Sequence, residues 1–325
     1  MKKTAQNRSV GYSLFTFVVY NKPMYAKLQK ASQIPTKAGT TMDRSRALPR
    51  LCFITTAALT LISVAVRTLC MLTAFDAEVG YLASGPMTAL ANALYFVTAA
   101  AVVVLAVLIP KNTLPTELCV GLRAPSACLL GLALAAFAAV AVIVCVPTSS
   151  SKLLTVTAIL ALPASAYYFL SATRGGRYPD WLSFLGYLPV LWCITAVGEL
   201  YFDVYVTMNS PLKVTLQTGL LGFMLMSLQE LRFRIGRATP RIAMVCFGMG
   251  SFACLTAAVP LLIATGAGVV SHLLHTLYAI VLLAAGLYSL YHMFRYTRPS
   301  ASVLPDSEAG EEPDTPDETP EPNAE

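Results

Sequence analysis

The chain has 325 residues, 56% of them apolar and only 12% charged, against roughly a quarter charged in soluble domains. That composition excludes an ordinary soluble globular domain and points to an integral membrane protein. The net charge of +6 does not indicate nucleic acid, because the bases lie beside apolar runs: the first 50 residues carry ten Lys or Arg and one acid, Asp43, while the last 20 carry nine acids and no base.

Residues 1–49 form a basic segment with one short apolar run, Tyr12 to Tyr20. Such a run is too short to cross a bilayer, which takes about 20 helical residues. Asn21, Lys22 and Pro23 follow it without a small-residue cleavage site, unlike a signal peptide. The segment reads as cytoplasmic or interfacial; an alternative start at Met42 would put MDRSRALPR directly before the first span.

From Leu51 onward eight spans are expected, at 51–74, 87–109, 127–147, 153–172, 181–206, 212–231, 242–265 and 270–294. At 1.5 Å per residue each can cross a core of ~30 Å. The intervening loops are too short for an extramembrane domain. Only CVPTSSSK separates the third and fourth runs, so a re-entrant pair with fewer full crossings is the rival arrangement. One set of alternate connections, with the termini, collects twenty Lys or Arg; the other holds Lys152 and Lys213, and Arg67 lies inside a span. Cytoplasmic loops carry such an excess. The expected fold is therefore all-α: a polytopic integral protein of the cytoplasmic (plasma) membrane, with about eight transmembrane helices and both termini inside. Residues 50–296 form the membrane domain, and residues 297–325 an acidic, Pro-rich tail too poor in apolar residues to fold. That tail is read as a solubilising end or as a docking segment for a protein partner. The other expected partners are membrane lipids and a small solute or ion.

The stretch Trp181 to Arg241 holds most of the ionisable residues found within apolar runs. On the fifth span Thr195, Glu199 and Asp203 follow at i, i+4 and i+8 and share a face, with Trp192 on the preceding turn. Glu199 and Arg67 each lie seven residues from the same end of their spans, about 10 Å deep. An intramembrane acid needs a partner, so an Arg67–Glu199 pair is expected. It reads either as a structural lock or as the coupling site of a transporter, with an outward-snorkelling Arg67 as the alternative. Ser210 and Pro211 have the form of an N-cap and first helical residue. They leave Lys213 at the positive end of the sixth helix, beside Asp203 or a bound anion, with Gln217 one turn further.

Glu230 and Arg234 have the favourable i, i+4 order; with Arg232, Arg237 and Arg241 they form a basic end suited to anionic headgroups. His272 and His275 open the eighth span without a third ligand, and His292 is grouped with an interfacial belt of Tyr288, Tyr291, Phe294 and Tyr296. Pro163, Pro189 and Pro260 are expected inside spans, where each can kink its helix. Gly131, Ala135 and Ala139, and Gly248 with Phe252 and Thr256, suggest close helix contacts. Eight cysteines show no CxxC or metal-ligand spacing. No Walker A, GxSxG, HExxH or Gly-rich phosphate loop occurs, and no catalytic residue, metal or cofactor is expected. The functional expectation is a non-enzymatic permease for a small solute or ion. Its charged site would comprise Glu199, Asp203, Lys213, Arg67 and Gln217. The alternative is a non-transporting sensor or assembly module whose intramembrane charges are structural.

Overall fold

Proline opens four of the long helices, a position where its missing N–H costs no hydrogen bond and its fixed φ suits the helix. The computed structural model describes residues 41–76, 81–109, 125–149, 151–173, 180–203, 210–235, 237 and 239–297. The basic segment before residue 41 and the acidic tail after residue 297 lie outside them. Met1–Arg44 and Ser45–Glu325 are separate units; of the first, only the opening residues of one helix are described, and the second holds every other element.

Helix α1 runs over Thr41–Thr73 and is followed by a small antiparallel pair, β1 (Phe75–Asp76) and β2 (Tyr81–Leu82), with Phe75 opposite Leu82. Helix α2 is Pro86–Leu108. Helix α3, Pro125–Val140, passes through a π turn at Ala141–Cys145 and ends at Val146–Thr148. Then come α4 (Lys152–Thr173), α5 (Tyr187–Phe202), α6 (Pro211–Arg234), α7 (Pro240–Gly266) and α8 (Leu273–Thr297). Eight described helices are long and apolar enough to cross a membrane, so the third and fourth runs are two such helices. Their tight turn is held by serines: the Ser149 hydroxyl accepts from the Ser151 N–H at 3.1 Å, and the Ser151 hydroxyl caps α4 at the Leu154 N–H, 3.3 Å.

Helices α3 to α8 each pack on the next, and α8 returns to α3, closing a six-helix ring across which α6 and α8 also touch. Helix α2 packs on α7. Helix α1 is attached through isolated contacts: Ser63 to Thr98 on α2 at 3.1 Å, Arg67 to Thr215 on α6, and Phe53 against Phe294 on α8. Much of the apolar surface of α1 and α2 faces outward, with Leu61 71% and Phe96 74% exposed, as expected of a surface whose solvent is lipid. At the α6–α7 seam the two backbones approach closely. A Cβ on Gly222 would lie 2.8 Å from that of Ala253, and one on Gly250 would lie 3.1 Å from the Gly222 carbonyl oxygen. Close backbone approach of this kind is how helices gain packing energy where no hydrophobic effect separates them from lipid. Of the small residues expected at contacts, Gly131 meets the Phe169 ring and Gly248 meets Val102, but the Gly222–Gly250 approach is closer to backbone on backbone.

Several boundaries differ from the sequence reading. Residues 180–186 form a 3₁₀ segment, Asp180–Gly186, and α5 begins only at Tyr187. Pro189 is thus in the first turn of α5, where the missing N–H is tolerated, and does not kink a helix interior. Pro163 and Pro260 do lie inside α4 and α7. Helix α7 ends in a Schellman turn: the Val269 N–H bonds the Ala264 carbonyl and the Gly268 N–H that of Thr265, with Gly268 at φ 75°. A side chain at that φ would be strained.

Candidate functional site

At the end of the ring that carries the β pair, the end of α5 and the starts of α6 and α8 (the β end), four ionisable side chains converge. Glu199 on α5 is 5% exposed and accepts a hydrogen bond from the Tyr278 hydroxyl on α8 at 3.1 Å. Asp203 follows α5 in extended backbone, its carboxylate 3.3 Å from His275 Nε2 on α8. Lys213, on the first turn of α6 and 1% exposed, donates to the backbone carbonyl of Asp203 at 2.8 Å. Glu199 lies within electrostatic reach of Asp203, His275 and Lys213. The site therefore offers two carboxylates, an imidazole, an ammonium and a phenol within a few ångströms. Such a set can hold a proton, or an ion of either sign if the internal contacts open.

Local sequence explains the placement. Thr195 turns its hydroxyl back to the Trp192 carbonyl at 3.0 Å and so stays with its own helix. Glu199 comes one turn later on the same face. Because α5 ends at Phe202, Glu199 is three residues from the helix end, about 5 Å rather than about 10 Å. Ser210 stands at the N-cap of α6 with Pro211 after it, as expected, but its hydroxyl makes no capping bond. Gln217 is half-buried one turn beyond Lys213, and no hydrogen bond joins it to the cluster among the described residues.

The expected Arg67–Glu199 pair does not form. The Arg67 guanidinium bonds the Thr215 hydroxyl and has Tyr95 of α2 and Cys70 as electrostatic neighbours. Thr215 is two residues from Lys213, about 200° around α6, so Arg67 and the acidic cluster meet different faces of that helix. Equal depth along two helices does not fix azimuth, and azimuth separates them. His275 was legible only as one of a His pair, and its partner is Asp203. Its Nδ1 has no hydrogen-bond partner among the described residues. His272 precedes α8, its ring 5.2 Å from that of His275. Partial desolvation and the neighbouring His275 lower its pKa below the ordinary value, against the pull of Asp203. Among the described residues no group of His, Cys, Asp and Glu is placed to hold a metal ion.

A second cluster occupies the other end, which carries the α6–α7 turn (the arginine end). Glu230 and Arg234 form the expected i, i+4 pair at 2.7 Å, with 0% and 5% of their side chains exposed. Tyr167 donates to Glu230 Oε1 at 2.9 Å, and Arg234 donates to the hydroxyls of Tyr167 and Ser171, each at 2.7 Å. This pair is thus a buried tie between α6 and α4, whereas Arg232 and Arg237 are exposed. Arg241 donates to the Ile109 carbonyl at 2.5 Å, closing the end of α2. His292 is not part of an interfacial belt. It is buried, stacked on Phe247 with centroids 5.4 Å apart and edge-on to Tyr288 at 4.4 Å. Tyr288 and Tyr296 are buried with it.

Between the clusters the ring interior is filled by aromatic side chains. Tyr278 packs on Phe137 at 4.9 Å, Phe137 on Trp192 at 5.4 Å, Trp192 on Phe223 at 5.9 Å, Phe223 on Tyr168 at 6.2 Å, and Tyr168 on Tyr288 at 5.5 Å. The seven cysteines among the described residues are free thiols; Cys119 lies outside those residues. Compared with protein-family models, with curated proteins and with solved structures, the chain matches none.

Proposed function

We propose that this chain is a cytoplasmic-membrane permease for a small solute or ion, with both termini in the cytoplasm and the β-end cluster as its coupling site. The observation that carries the reading is the burial of Glu199, Lys213 and His275 together around the partly exposed Asp203 at one end of a closed helix ring. Ionisable groups at membrane depth are costly and are kept for ion pathways and proton relays. In this reading Glu199 takes up and releases the coupling proton, and Asp203 and Lys213 exchange their mutual contacts for contacts with the solute. The imbalance of Lys and Arg between alternate loops supports the orientation. Arg67 is not assigned to this site, because it lies on another face of α6; Gln217 remains a candidate for the solute path one turn in.

The non-transporting sensor or assembly module is the second reading. It draws on the closed state of the cluster, in which Glu199 is held by Tyr278 and almost wholly buried. The deciding experiment uses purified protein in proteoliposomes loaded with a pH-sensitive dye. A panel of small organic acids, amines and inorganic ions is applied outside, in turn. Transport predicts that at least one solute drives a pH change that Glu199→Gln abolishes while the variant still melts as a folded protein. If folded wild-type protein moves protons with no member of the panel, the permease reading falls and the module stands.

A further inference from the structure

We propose that one ordered water molecule bridges Arg67 on α1 to the Thr256 carbonyl of α7, the acceptor that Pro260 leaves without a helical donor, and so pins α1 to the ring. This bridge concerns how the helices are held together and is independent of the permease reading.

Proline supplies the acceptor. In an α-helix the carbonyl of residue i−4 receives the N–H of residue i, and a proline has none to give. Pro260 lies inside α7, so the Thr256 carbonyl loses its helical partner. Thr256 is 1% exposed, and its own hydroxyl is committed elsewhere, donating to the Phe252 carbonyl at 2.7 Å. Within a membrane, an acceptor freed in this way is served by a neighbouring helix, a side chain or an ordered water.

Arg67 supplies the donor. A guanidinium carries five N–H groups, and among the described residues Arg67 makes one hydrogen bond, to the Thr215 hydroxyl of α6. No described carboxylate lies within salt-bridge distance of it. An arginine at membrane depth without a carboxylate turns to backbone carbonyls or to water. Arg67 stands six residues before the end of α1 at Thr73, and Pro260 six residues before the end of α7 at Gly266. Each is therefore about 9 Å from the same end, and both line one cleft with Met71, Thr215 and Thr256.

The size of the cleft names its occupant. The centre of a water molecule has about 10 Å³ to move in, near the minimum of roughly 10–15 Å³ that holds a single water. A solute or a lipid headgroup does not fit. A buried water makes about three hydrogen bonds, and three are on offer. It accepts from Arg67, donates to the Thr256 carbonyl, and donates to the Thr215 hydroxyl oxygen, whose own proton goes to the Pro211 carbonyl. The remaining walls are apolar, which confines the water to this position. Through it, one arginine joins α1 to α6 and α7 together.

The test is a brief X-ray pulse on full-length protein in detergent and heavy-oxygen water. The pulse splits bound water where it sits, and the radical oxidises a neighbouring methionine. Met71 is 4% exposed and lines the cleft, whereas Met226 is 0% exposed and does not. In wild type, heavy oxygen is expected on Met71 and not on Met226. Pro260→Ala returns a helical N–H to the Thr256 carbonyl, and Arg67→Met removes the donor. Either change is expected to bring Met71 labelling down to that of Met226. Thermal unfolding gives a second reading: Arg67→Met is expected to lower Tm by about 2–4 °C in wild type. In Pro260→Ala the loss is smaller, because only the Thr215 contact remains to be broken. Met71 labelled no more than Met226 in wild type overturns the water. Labelling unchanged in both variants overturns it too, since that marks access from bulk solvent. Additive Tm losses overturn the link between Arg67 and the proline-freed carbonyl. If Pro260→Ala does not fold, labelling of wild type and Arg67→Met decides between the same outcomes.

Discussion

At the arginine end, both charges sit on one helix, one turn apart at 2.7 Å, and α4 adds two hydroxyls. At the β end, the contacts join separate helices: Lys213 of α6 reaches the backbone carbonyl of Asp203, just after α5, at 2.8 Å, and His275 of α8 reaches its carboxylate at 3.3 Å. The first arrangement is set by helix geometry and moves with α6 as a unit. The second exists only while three helices keep their relative positions. Residue types alike in charge therefore serve as a fixed tie in one place and as a contact sensitive to helix motion in the other.

The largest effect should come from breaking the fixed tie on one side only. Arg234→Met leaves Glu230 buried without its cation and is expected to cost about 3–5 kcal/mol of stability, while Arg234→Met with Glu230→Leu recovers most of it. Thermal unfolding in a fixed detergent and lipid mixture reads this; equal losses in the single and double variants would contradict the tie. Next comes the α6–α7 seam, on the helix that contributes to both clusters. Gly222→Leu forces α6 from α7 and is expected to cost about 1–3 kcal/mol, again as a lowered Tm, with Ala253→Gly in the same chain restoring part of it.

Smaller effects are expected at the β end. Tyr278→Phe removes the hydroxyl that holds Glu199, at about 1 kcal/mol, and the same change made in Glu199→Gln should cost less, since the acceptor is already altered. A double-mutant cycle measures the difference, and strict additivity would mean that the 3.1 Å contact contributes nothing. The smallest effect concerns His272. Its pKa in the folded protein is below the ordinary 6.5, so the folded state disfavours the charged imidazole. The stabilisation is present above the unfolded pKa and is lost as pH falls through the folded value. Tm is thus expected to decline slightly faster below about pH 6.5 in wild type than in His272→Gln; parallel profiles would mean that His272 contributes nothing to the pH dependence.

Helix number and approximate position were legible in the sequence because an apolar run of about 20 residues has few alternatives to a membrane-crossing helix. Ends were less legible. The run from Trp181 reads continuously apolar, yet Gly186 and Pro189 favour a tight 3₁₀ entry, and α5 stops at Phe202, short of the expected end at 206. The cluster was legible in part: Glu199, Asp203 and Lys213 were all singled out from a short stretch, and the short connection between α5 and α6 keeps them close. Their partners Tyr278 and His275 come from α8, far along the chain, where only rotation of one helix about its axis decides the contact. Apolar runs that are hydrophobic all round carry almost no information about that rotation. The misplaced Arg67–Glu199 pair and the buried His292 have the same origin. Depth can be counted from residues, but the direction a side chain faces depends on neighbours that only the packed ring supplies.

One of the chain's two tryptophans, Trp192, stands within the aromatic column. It is fully buried, its indole N–H without a hydrogen-bond partner among the described residues and its ring against Phe137, Tyr278 and Phe223. With Trp181→Phe the protein becomes a single-tryptophan fluorophore whose emission comes from the middle of the ring. Blue-shifted, quencher-resistant emission would report a dry interior. A red shift on adding a solute or changing pH would record the arrival of water there, in real time and without any attached label.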